Sequence, residues 1–222
     1  MTTIGVMANG PQDLLPDLVD LRNLVDIWIG ADGGALTLIN HGINVDYAVG
    51  DFDSITLKEK RVIKNSVNHF QQYPSEKDET DLEIAITKAF ELQADEIILF
   101  GVTGGRLDHT LINIQTLLLL KQRKVNAIVV DRYNKLELTL PGKHDVIYEE
   151  KYPNISFIPM TPVVRGITLE GFYYPLTSKD LFMGSTLCIS NKLLSKKGTF
   201  FYEEGILILV KSRDSTDHPI PL

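Results

Sequence analysis

Hydrophobic residues in the first 132 positions alternate between short continuous runs and longer stretches with helical periodicity. The short runs, which are typical of buried strands, lie at residues 4–8, 27–31, 47–50, 69–73, 97–100 and 127–131. The helical stretches between them lie at residues 13–24, 35–41, 57–65, 81–93 and 111–123. Such an alternation predicts an α/β fold, in which helices cover both faces of a mostly parallel sheet.

The pattern changes after residue 132, where helical periodicity ends and short β-type runs continue. They lie at residues 136–140, 146–148, 155–159, 166–169, 185–190, 199–202 and 206–211. Turn residues such as Pro141-Gly142 separate these runs, which indicates an antiparallel β-sandwich or barrel. We therefore predict an α/β catalytic domain over residues 1–132, a smaller β domain over residues 133–213, and a frayed tail over residues 214–222.

Composition narrows the classes of function. The 222 residues carry 22 basic and 29 acidic side chains, and this net charge of −7 argues against a general surface for nucleic acid or an anionic membrane. The N-terminal residues lack the basic and apolar regions of a signal peptide, and no apolar run would span a bilayer, so we expect a cytoplasmic location. The single cysteine, Cys188, excludes an intrachain disulfide and is predicted to be a buried thiol.

Glycine and aspartate gather where four predicted strands end, which is the edge at which open α/β sheets bind ligands. The four segments are Gly30-Ala31-Asp32-Gly33-Gly34, Gly50-Asp51-Phe52-Asp53-Ser54, Lys77-Asp78-Glu79-Thr80-Asp81 and Gly104-Gly105-Arg106-Leu107-Asp108-His109. Each segment also has a plain structural interpretation. Aspartate caps helices, glycine supplies turns, and Thr80 with Glu83 fits a capping box. The combination of all four favours a functional site.

The carboxylates in these segments predict a metal site. Asp51 and Asp53, two residues apart in a chain expected to be extended, should point the same way, while Asp78 and Asp81 approach from a neighbouring loop. Crowded carboxylates repel one another, and Mg²⁺ relieves this repulsion while also taking phosphate oxygens. Arg106 in its glycine-rich turn is a candidate phosphate clamp. The Gly-Lys-Ser/Thr phosphate loop is absent, so any nucleotide is held differently.

In order and spacing, the four segments resemble the signature of thiamin pyrophosphokinases. The likeness continues through Gly171-Phe172-Tyr173-Tyr174-Pro175-Leu176, Gly184 and Ser190-Asn191, so that it covers nearly the whole chain. The resemblance implies an ATP:thiamin diphosphotransferase, a Mg²⁺-dependent enzyme that moves the pyrophosphate of ATP onto the hydroxyl of thiamin and releases AMP. It also implies a homodimer whose active site is shared between subunits.

The resemblance further implies roles for particular residues. The Mg²⁺ ligands would be Asp51, Asp53 and Asp81. The contacts with ATP would be Asp32, Gly33, Gly34, Gly104, Gly105 and Arg106. The catalytic groups would be Asp78, Arg106 and Asp108. From the chemistry of phosphoryl transfer, Asp78 or Asp108 is a candidate proton acceptor, and Lys77 is either a phosphate cation or an exposed lysine in the loop before a helix.

Thiamin would be bound by Ser190 and Asn191 of the β domain. Eukaryotic relatives stack a tryptophan on thiamin, but the only tryptophan here is Trp28, in a predicted core strand. Alignment of the last strand places Ile206 near that position, and either an aliphatic contact or another aromatic side chain could replace the stacking contact.

Two other functions stay open. A related pyrophosphokinase could act on a hydroxymethylpterin, although the β domain with its Ser190-Asn191 pair argues against this. A non-catalytic nucleotide sensor would use the aspartates only as helix caps and solvated loop charges. Product formation from ATP, Mg²⁺ and thiamin separates these alternatives.

Overall fold

A computed structural model describes residues 1–76 and 78–215. Its chain divides into two compact units, Met1–Arg132 and a second unit that begins at Tyr133. Lys77 and residues 216–222, which include most of the predicted frayed tail, lie outside the described residues. In the part of the chain that is described, no helix is both long enough and apolar enough to cross a membrane.

The first unit is a parallel sheet with helical connections. Its strands are β1 (Thr3–Met7), β2 (Ile27–Ala31), β3 (Val45–Gly50), β4 (Val67–Gln72), β5 (Glu96–Phe100) and β6 (Asn126–Val130), in the spatial order β4-β3-β2-β1-β5-β6. All five pairings are parallel, with Ile4 of β1 opposite Ile27 of β2 and Ile97 of β5. The strand order reverses beside β1, and such a switch point opens a crevice at the carboxyl edge of the sheet.

The helices of this unit are α1 (Leu18–Leu21), α2 (Gly34–Asn40), α3 (Leu57–Ser66), α4 (Asp81–Glu91) and α5 (Leu107–Gln122). They cover both faces of the sheet. Leu38 of α2 shares a core cluster with Trp28, whereas Lys88 of α4 lies 5.4 Å from the ring centre of Tyr47. Tyr47 pairs with Ile29, the neighbour of Trp28, so α2 and α4 lie on opposite faces.

The second unit is a β-sandwich. Its strands are β7 (Asn134–Thr139), β8 (Gly142–Ile147), β9 (Asn154–Pro159), β10 (Val163–Glu170), β11 (Leu176–Phe182), β12 (Lys197–Tyr202) and β13 (Leu207–Ser212). Strands β7-β13-β9 form one antiparallel sheet and β11-β10-β12-β8 the other. Phe157 and Leu209 from the first sheet share one buried cluster with Val164 and Phe200 from the second. The predicted fold class is confirmed, with a sandwich rather than a barrel.

Local differences from the prediction have physical causes. The helix predicted over 13–24 is broken into α1 and two flanking 3₁₀ turns, Gln12–Leu14 and Arg22–Leu24. The strand predicted over 185–190 is wrong, because positive φ angles at Gly184 and Ser190 turn the chain there. Strand β11 gave no apolar signal because it is an edge strand with mostly exposed residues. The capping box of Thr80 and Glu83 is confirmed.

Candidate active site

Asp32 directly follows β2 and is a buried carboxylate, with only 7% of the residue exposed. Its backbone is left-handed, with φ 47°, and its N–H donates to the Val49 carbonyl at 2.8 Å. The Ser54 hydroxyl donates to Asp32 Oδ2. Asp32 Oδ1 is also buried but has no hydrogen-bond partner among the described residues. One oxygen of this carboxyl group is therefore held by the protein, and the other is left for a cation or a donor from a ligand.

Asp51 and Asp53 follow β3, but not in extended chain as the sequence interpretation assumed. Phe52 between them is buried and left-handed, with φ 58°, so the chain turns and the Asp53 N–H donates to Asp51 Oδ1 at 3.1 Å. That part of the prediction was wrong. The turn still keeps the two side chains close together, because an aspartate that accepts from the N–H two residues later forms a compact loop.

Three other carboxylates at this edge act on Asp53. The charge of Asp51, some desolvation, the hydrogen bond with Asp51 and the charges of Asp32 and Asp81 all raise the pKa of the exposed Asp53 above its usual value. Asp81 is the first residue of α4, and its Oδ1 lies 3.2 Å from the point where a Cβ on Gly50 would be. The structure therefore brings Asp32, Asp51, Asp53 and Asp81 into one region of high negative charge.

The donor set is suited to a hard cation. Within residues 1–76 and 78–215, no three carboxylate, imidazole or thiol groups already stand in an arrangement that would hold a metal ion. The crowded carboxylates and the orphaned Asp32 Oδ1 nevertheless offer only oxygen ligands, which is the chemistry that Mg²⁺ prefers. The residues present thus fit this ion, with phosphate oxygens or water completing its shell.

Asn9, which the sequence interpretation missed, lies in the same region. Its Nδ2 is 3.4 Å from Ser54 Oγ, and its Oδ1 lies 2.7 Å from the point where a Cβ on Gly33 would be. The signal was present in the sequence, because Asn9-Gly10 follows the first strand directly, just as Asp32-Gly33 follows the second. The prediction at the strand ends rested on glycine and aspartate, and Asn9 is neither.

Two glycines let the segments after β1 and β5 touch through their backbones. A Cβ on Gly10 would lie 2.4 Å from the Gly101 carbonyl oxygen, and a Cβ on Gly101 would lie 2.5 Å from the Ala8 carbonyl oxygen. Gly101 also has a φ of +63°, which disfavours any residue with a side chain. This close approach fixes the positions of the two backbone segments relative to each other at the switch point.

Arg106 and Asp108 pair with each other at the start of α5. Arg106 Nη2 donates to Asp108 Oδ2 at 2.5 Å and Nε donates to Oδ1 at 3.2 Å, while the side chains are 73% and 62% exposed. This hydrogen bonding, helped by the His109 N–H and outweighing a small effect of burial, lowers the pKa of Asp108 to about 2. Asp108 is therefore a weak base at neutral pH. Asp78 is exposed in the loop before α4.

In the second unit, Asn191 is 2% exposed and its side chain is largely engaged. Its Oδ1 accepts from the backbone N–H groups of Tyr174 and Lys192 at 3.0 and 2.9 Å, and its Nδ2 donates to the Tyr174 carbonyl at 2.9 Å. Ser190 is left-handed, with φ 56°, and its N–H donates to Ser156 Oγ at 3.0 Å. Both acceptor positions of Asn191 are thus occupied by the protein.

The loop that Asn191 holds carries an exposed aromatic pair. Tyr173 and Tyr174 are 63% and 61% exposed, and their rings meet edge to face with centroids 4.9 Å apart. Trp28, by contrast, is buried against Phe100 in the core of the first unit. Ile206 is only half-buried, and its N–H donates to Thr161 Oγ1. Cys188 is buried, as predicted, and burial raises the pKa of its thiol to about 11.

The switch point, the acidic strand ends and the close glycines are typical of α/β proteins that bind ligands at the carboxyl edge of a parallel sheet. Comparison with known proteins gives the family. The family model described as "Thiamin pyrophosphokinase, catalytic domain" matches residues 19–129, and that of the "vitamin B1 binding domain" matches residues 143–207. The chain belongs to the thiamin pyrophosphokinase family, and the resemblance of its motifs is confirmed.

Relatives of known name cover the chain almost completely. Thiamine pyrophosphokinase of Bacillus subtilis (strain 168) is 43% identical over 214 residues, which are 96% of this chain and 100% of the relative. The crystal structure of the Bacillus subtilis protein superimposes with a TM-score of 0.88 at 42% identity, covering 96% of this chain and 100% of that one. Thiamin pyrophosphokinase from Geobacillus thermodenitrificans gives 0.85 at 41% identity, covering 97% and 99%.

Proposed function

We propose that this chain transfers the pyrophosphate of ATP to the hydroxyl of thiamin. The thiamin oxygen attacks the β-phosphorus, the bond from that phosphorus to the oxygen bridging it to the α-phosphorus breaks, and AMP leaves with that oxygen as thiamin diphosphate forms. The carrying observation is the group of four aspartates at the carboxyl edge of the sheet, in a chain of this family. These side chains suit a site that must hold a polyphosphate through a cation.

Asp51, Asp53 and Asp81 are the proposed ligands of Mg²⁺, with Asp32 beside them. When bound, the ion supplies positive charge to the phosphate oxygens and so favours the transfer. Crowding supports this assignment, since the neighbouring carboxylates already disfavour the charged form of Asp53. These aspartates would hold the cation, and in-line attack requires that thiamin and the phosphate be held in a fixed orientation to each other.

ATP lies, in this proposal, against the glycine segments. Gly33 and Gly34 follow Asp32, and Gly104 and Gly105 precede α5, so the proposal places the phosphates at the two turns that these glycines form. Arg106 then exchanges its pairing with Asp108 for a phosphate. Because its side chain is 73% exposed, this exchange requires no unpacking of the core.

The structure bears on which of the two candidate aspartates, Asp78 or Asp108, is the better proton acceptor. A carboxylate with a pKa of about 2 takes up a proton weakly, so Asp108 is better suited to holding Arg106 than to acting as a base. Asp78 stays the candidate acceptor. Phosphoryl transfer passes through a loose transition state, so positioning and charge contribute more than a strong base would.

Thiamin, in this proposal, is bound by the second unit at the Tyr173–Tyr174 pair, with Ser190 and Asn191 beside it. An exposed aromatic pair offers a stacking surface for a heterocyclic ring. Asn191 fixes the backbone of Tyr174, which leaves one N–H of its amide for a ligand. The homodimer with a shared active site and the cytoplasmic location stay predictions.

The decisive experiment is to incubate the pure protein with ATP, Mg²⁺ and thiamin and to identify the products by chromatography. We expect AMP and thiamin diphosphate in equal amounts. ADP with thiamin monophosphate would contradict attack on the β-phosphorus. Turnover only with a hydroxymethylpterin would favour the related pyrophosphokinase, and bound nucleotide without any product would favour the sensor.

Asn191→Ala tests the proposed contact between Asn191 and thiamin. Loss of a hydrogen-bonding side chain is worth about 1 kcal/mol, so the KM for thiamin should rise about fivefold or more. The KM for ATP should stay within twofold. Asn191→Asp keeps the oxygen that accepts from Tyr174 and removes the amide donor, so it separates the contact with Tyr174 from the contact with thiamin. Asn65→Ala, at the exposed end of α3, is the control. An equal rise in both KM values would show that Asn191 does not serve thiamin.

A further inference from the structure

The Asp32 carboxyl group is the most enclosed of the four acidic side chains at the strand ends. Burying a carboxylate is costly unless each oxygen has a donor or a cation. Ser54 supplies the donor to Oδ2, whereas Oδ1 is without a hydrogen-bond partner in the part of the chain that the structure describes. The carboxyl group is therefore held at Oδ2, while Oδ1 still lacks a hydrogen-bond donor or a cation.

Ser54 is itself oriented by Asn9. A serine hydroxyl has one proton, and that of Ser54 goes to Asp32, so Ser54 Oγ can only accept from a second neighbour. Asn9 Nδ2 lies 3.4 Å from it and is the donor. The Asn9 amide in turn stands against Gly33, where a Cβ would come within 2.8 Å of its side-chain atoms. Asn9 thus donates to Ser54, and Ser54 donates to Asp32.

Asp32 is close to the proposed cation ligands. A Cβ built on Gly50 would lie 3.1 Å from the backbone nitrogen of Asp32 and 3.2 Å from Asp81 Oδ1, so both residues border the same point. A cation between these groups would meet the oxygen of Asp32 that the protein does not satisfy.

We propose that Ser54 is a positioning residue that holds Asp32 Oδ2 and thereby turns Oδ1 toward the divalent cation, with Asn9 fixing the Ser54 hydroxyl. The inference rests on the proposed Mg²⁺ site and adds two residues outside the set of direct ligands. Side chains that orient a metal ligand preorganise the site. Removing such a side chain therefore weakens metal binding even though the ligand itself is kept.

The test measures Mn²⁺ binding to the protein without nucleotide, from the electron paramagnetic resonance signal of free Mn²⁺. Ser54→Ala should weaken binding about tenfold, the lower limit for loss of an orienting partner. Ser54→Thr keeps the hydroxyl and should bind within twofold of the wild type. Ser66→Ala, at the exposed last residue of α3, is the matched control and should change nothing.

Wild-type affinity in Ser54→Ala, or an equal loss in Ser66→Ala, would overturn the proposal. If Ser54→Ala does not fold, Asn9→Ala carries the test, with a loss of about threefold because it acts one step further away; unchanged affinity in that variant would overturn the proposal. Wild-type protein that binds no Mn²⁺, or binding that Asp51→Asn does not weaken, would overturn the metal site itself and this inference with it. A loss of thermal stability without a loss of affinity would show a purely structural role.

Discussion

Each unit contains a cluster of charged side chains, but the carboxylates in the two clusters have opposite surroundings. In the second unit, Glu149 lies between Lys135 and Lys211, with N–O distances of 3.1 and 2.7 Å, and Lys211 also donates to the Ile147 carbonyl. Burial would raise the pKa of Glu149, but the hydrogen bonds and charges of the two lysines outweigh it and lower the pKa. In the first unit, neighbouring carboxylates raise the pKa of Asp53.

The difference distinguishes a structural cluster from a functional one. The second unit supplies its own cations, so its charges are compensated as soon as the chain folds. The first unit concentrates like charges around Asp53 and leaves an oxygen of Asp32 unsatisfied, which costs stability until a cation binds. Perturbation by like charge in a crevice is thus the more informative sign of a site.

The largest effect should come from Asp53→Asn. Turnover should fall at least about a hundredfold, the upper limit for loss of an outer partner of a metal, because a direct ligand is removed. The melting temperature should stay the same or rise, since like-charge repulsion is relieved. Steady-state kinetics at saturating Mg²⁺ check the first point and calorimetry the second. Asp20→Asn in exposed α1 is the control, and near-normal turnover in Asp53→Asn would remove it from the ligand set.

Lys211→Met should disrupt the cluster that Glu149 forms with Lys135 and Lys211 in the second unit. Lys211 is 8% exposed, and its loss leaves Glu149 with Lys135 alone, so unfolding free energy should fall by about 2 kcal/mol, less than for a fully buried pair. Urea denaturation measures the change. Lys135→Met, at the more exposed lysine, should cost less. Activity per folded molecule should be unchanged in both variants, and a large loss of kcat would contradict a structural role.

Mg²⁺ should stabilise the protein through the first unit. At ten times its dissociation constant, a cation that binds only the folded state adds about 1.4 kcal/mol, which thermal denaturation can resolve as a higher melting temperature. Lys211→Met should keep this increment in full, whereas Asp53→Asn should lose most of it. An increment that survives in Asp53→Asn would place the cation elsewhere.

The smallest effect concerns acid stability. The pKa of Glu149 is lowered in the folded state, so its charge contributes stability above the unfolded pKa, and this contribution is lost as the pH falls through the folded pKa. Glu149→Gln should therefore reduce stability at neutral pH by less than about 1 kcal/mol and flatten its decline below pH 4.5. Urea midpoints measured from pH 7 to pH 3 test this, and parallel curves for both proteins would contradict it.

Sequence patterns were sufficient for the fold class and for the gathering of Asp51, Asp53 and Asp81. They failed where conformation depends on tertiary packing. The turn at Phe52 arises because its ring is buried and stacked against Phe70, a contact far away in sequence. Asn9 was missed for a different reason, since a neutral amide carries no charge pattern to attract notice.

The second unit shows the same limit. Asn191 stays a predicted thiamin contact, but the sequence did not indicate that its side chain also pairs with the backbone of Tyr174, seventeen residues away, because no local pattern reveals such a pairing. Strand β11 was missed because Leu176–Phe182 has a mostly polar, exposed surface, and hydrophobic alternation detects only strands with a buried face.

The backbone contact at Gly10 and Gly101 limits how this enzyme can be redesigned. A side chain at either position would meet a carbonyl oxygen rather than another side chain, so neither change could be rescued by trimming a neighbour. Variation aimed at new acceptor substrates therefore has to leave both positions untouched. The freedom lies in exposed side chains that the proposed mechanism does not use, and a library that also randomised Gly10 and Gly101 would lose every variant in which this backbone contact is blocked.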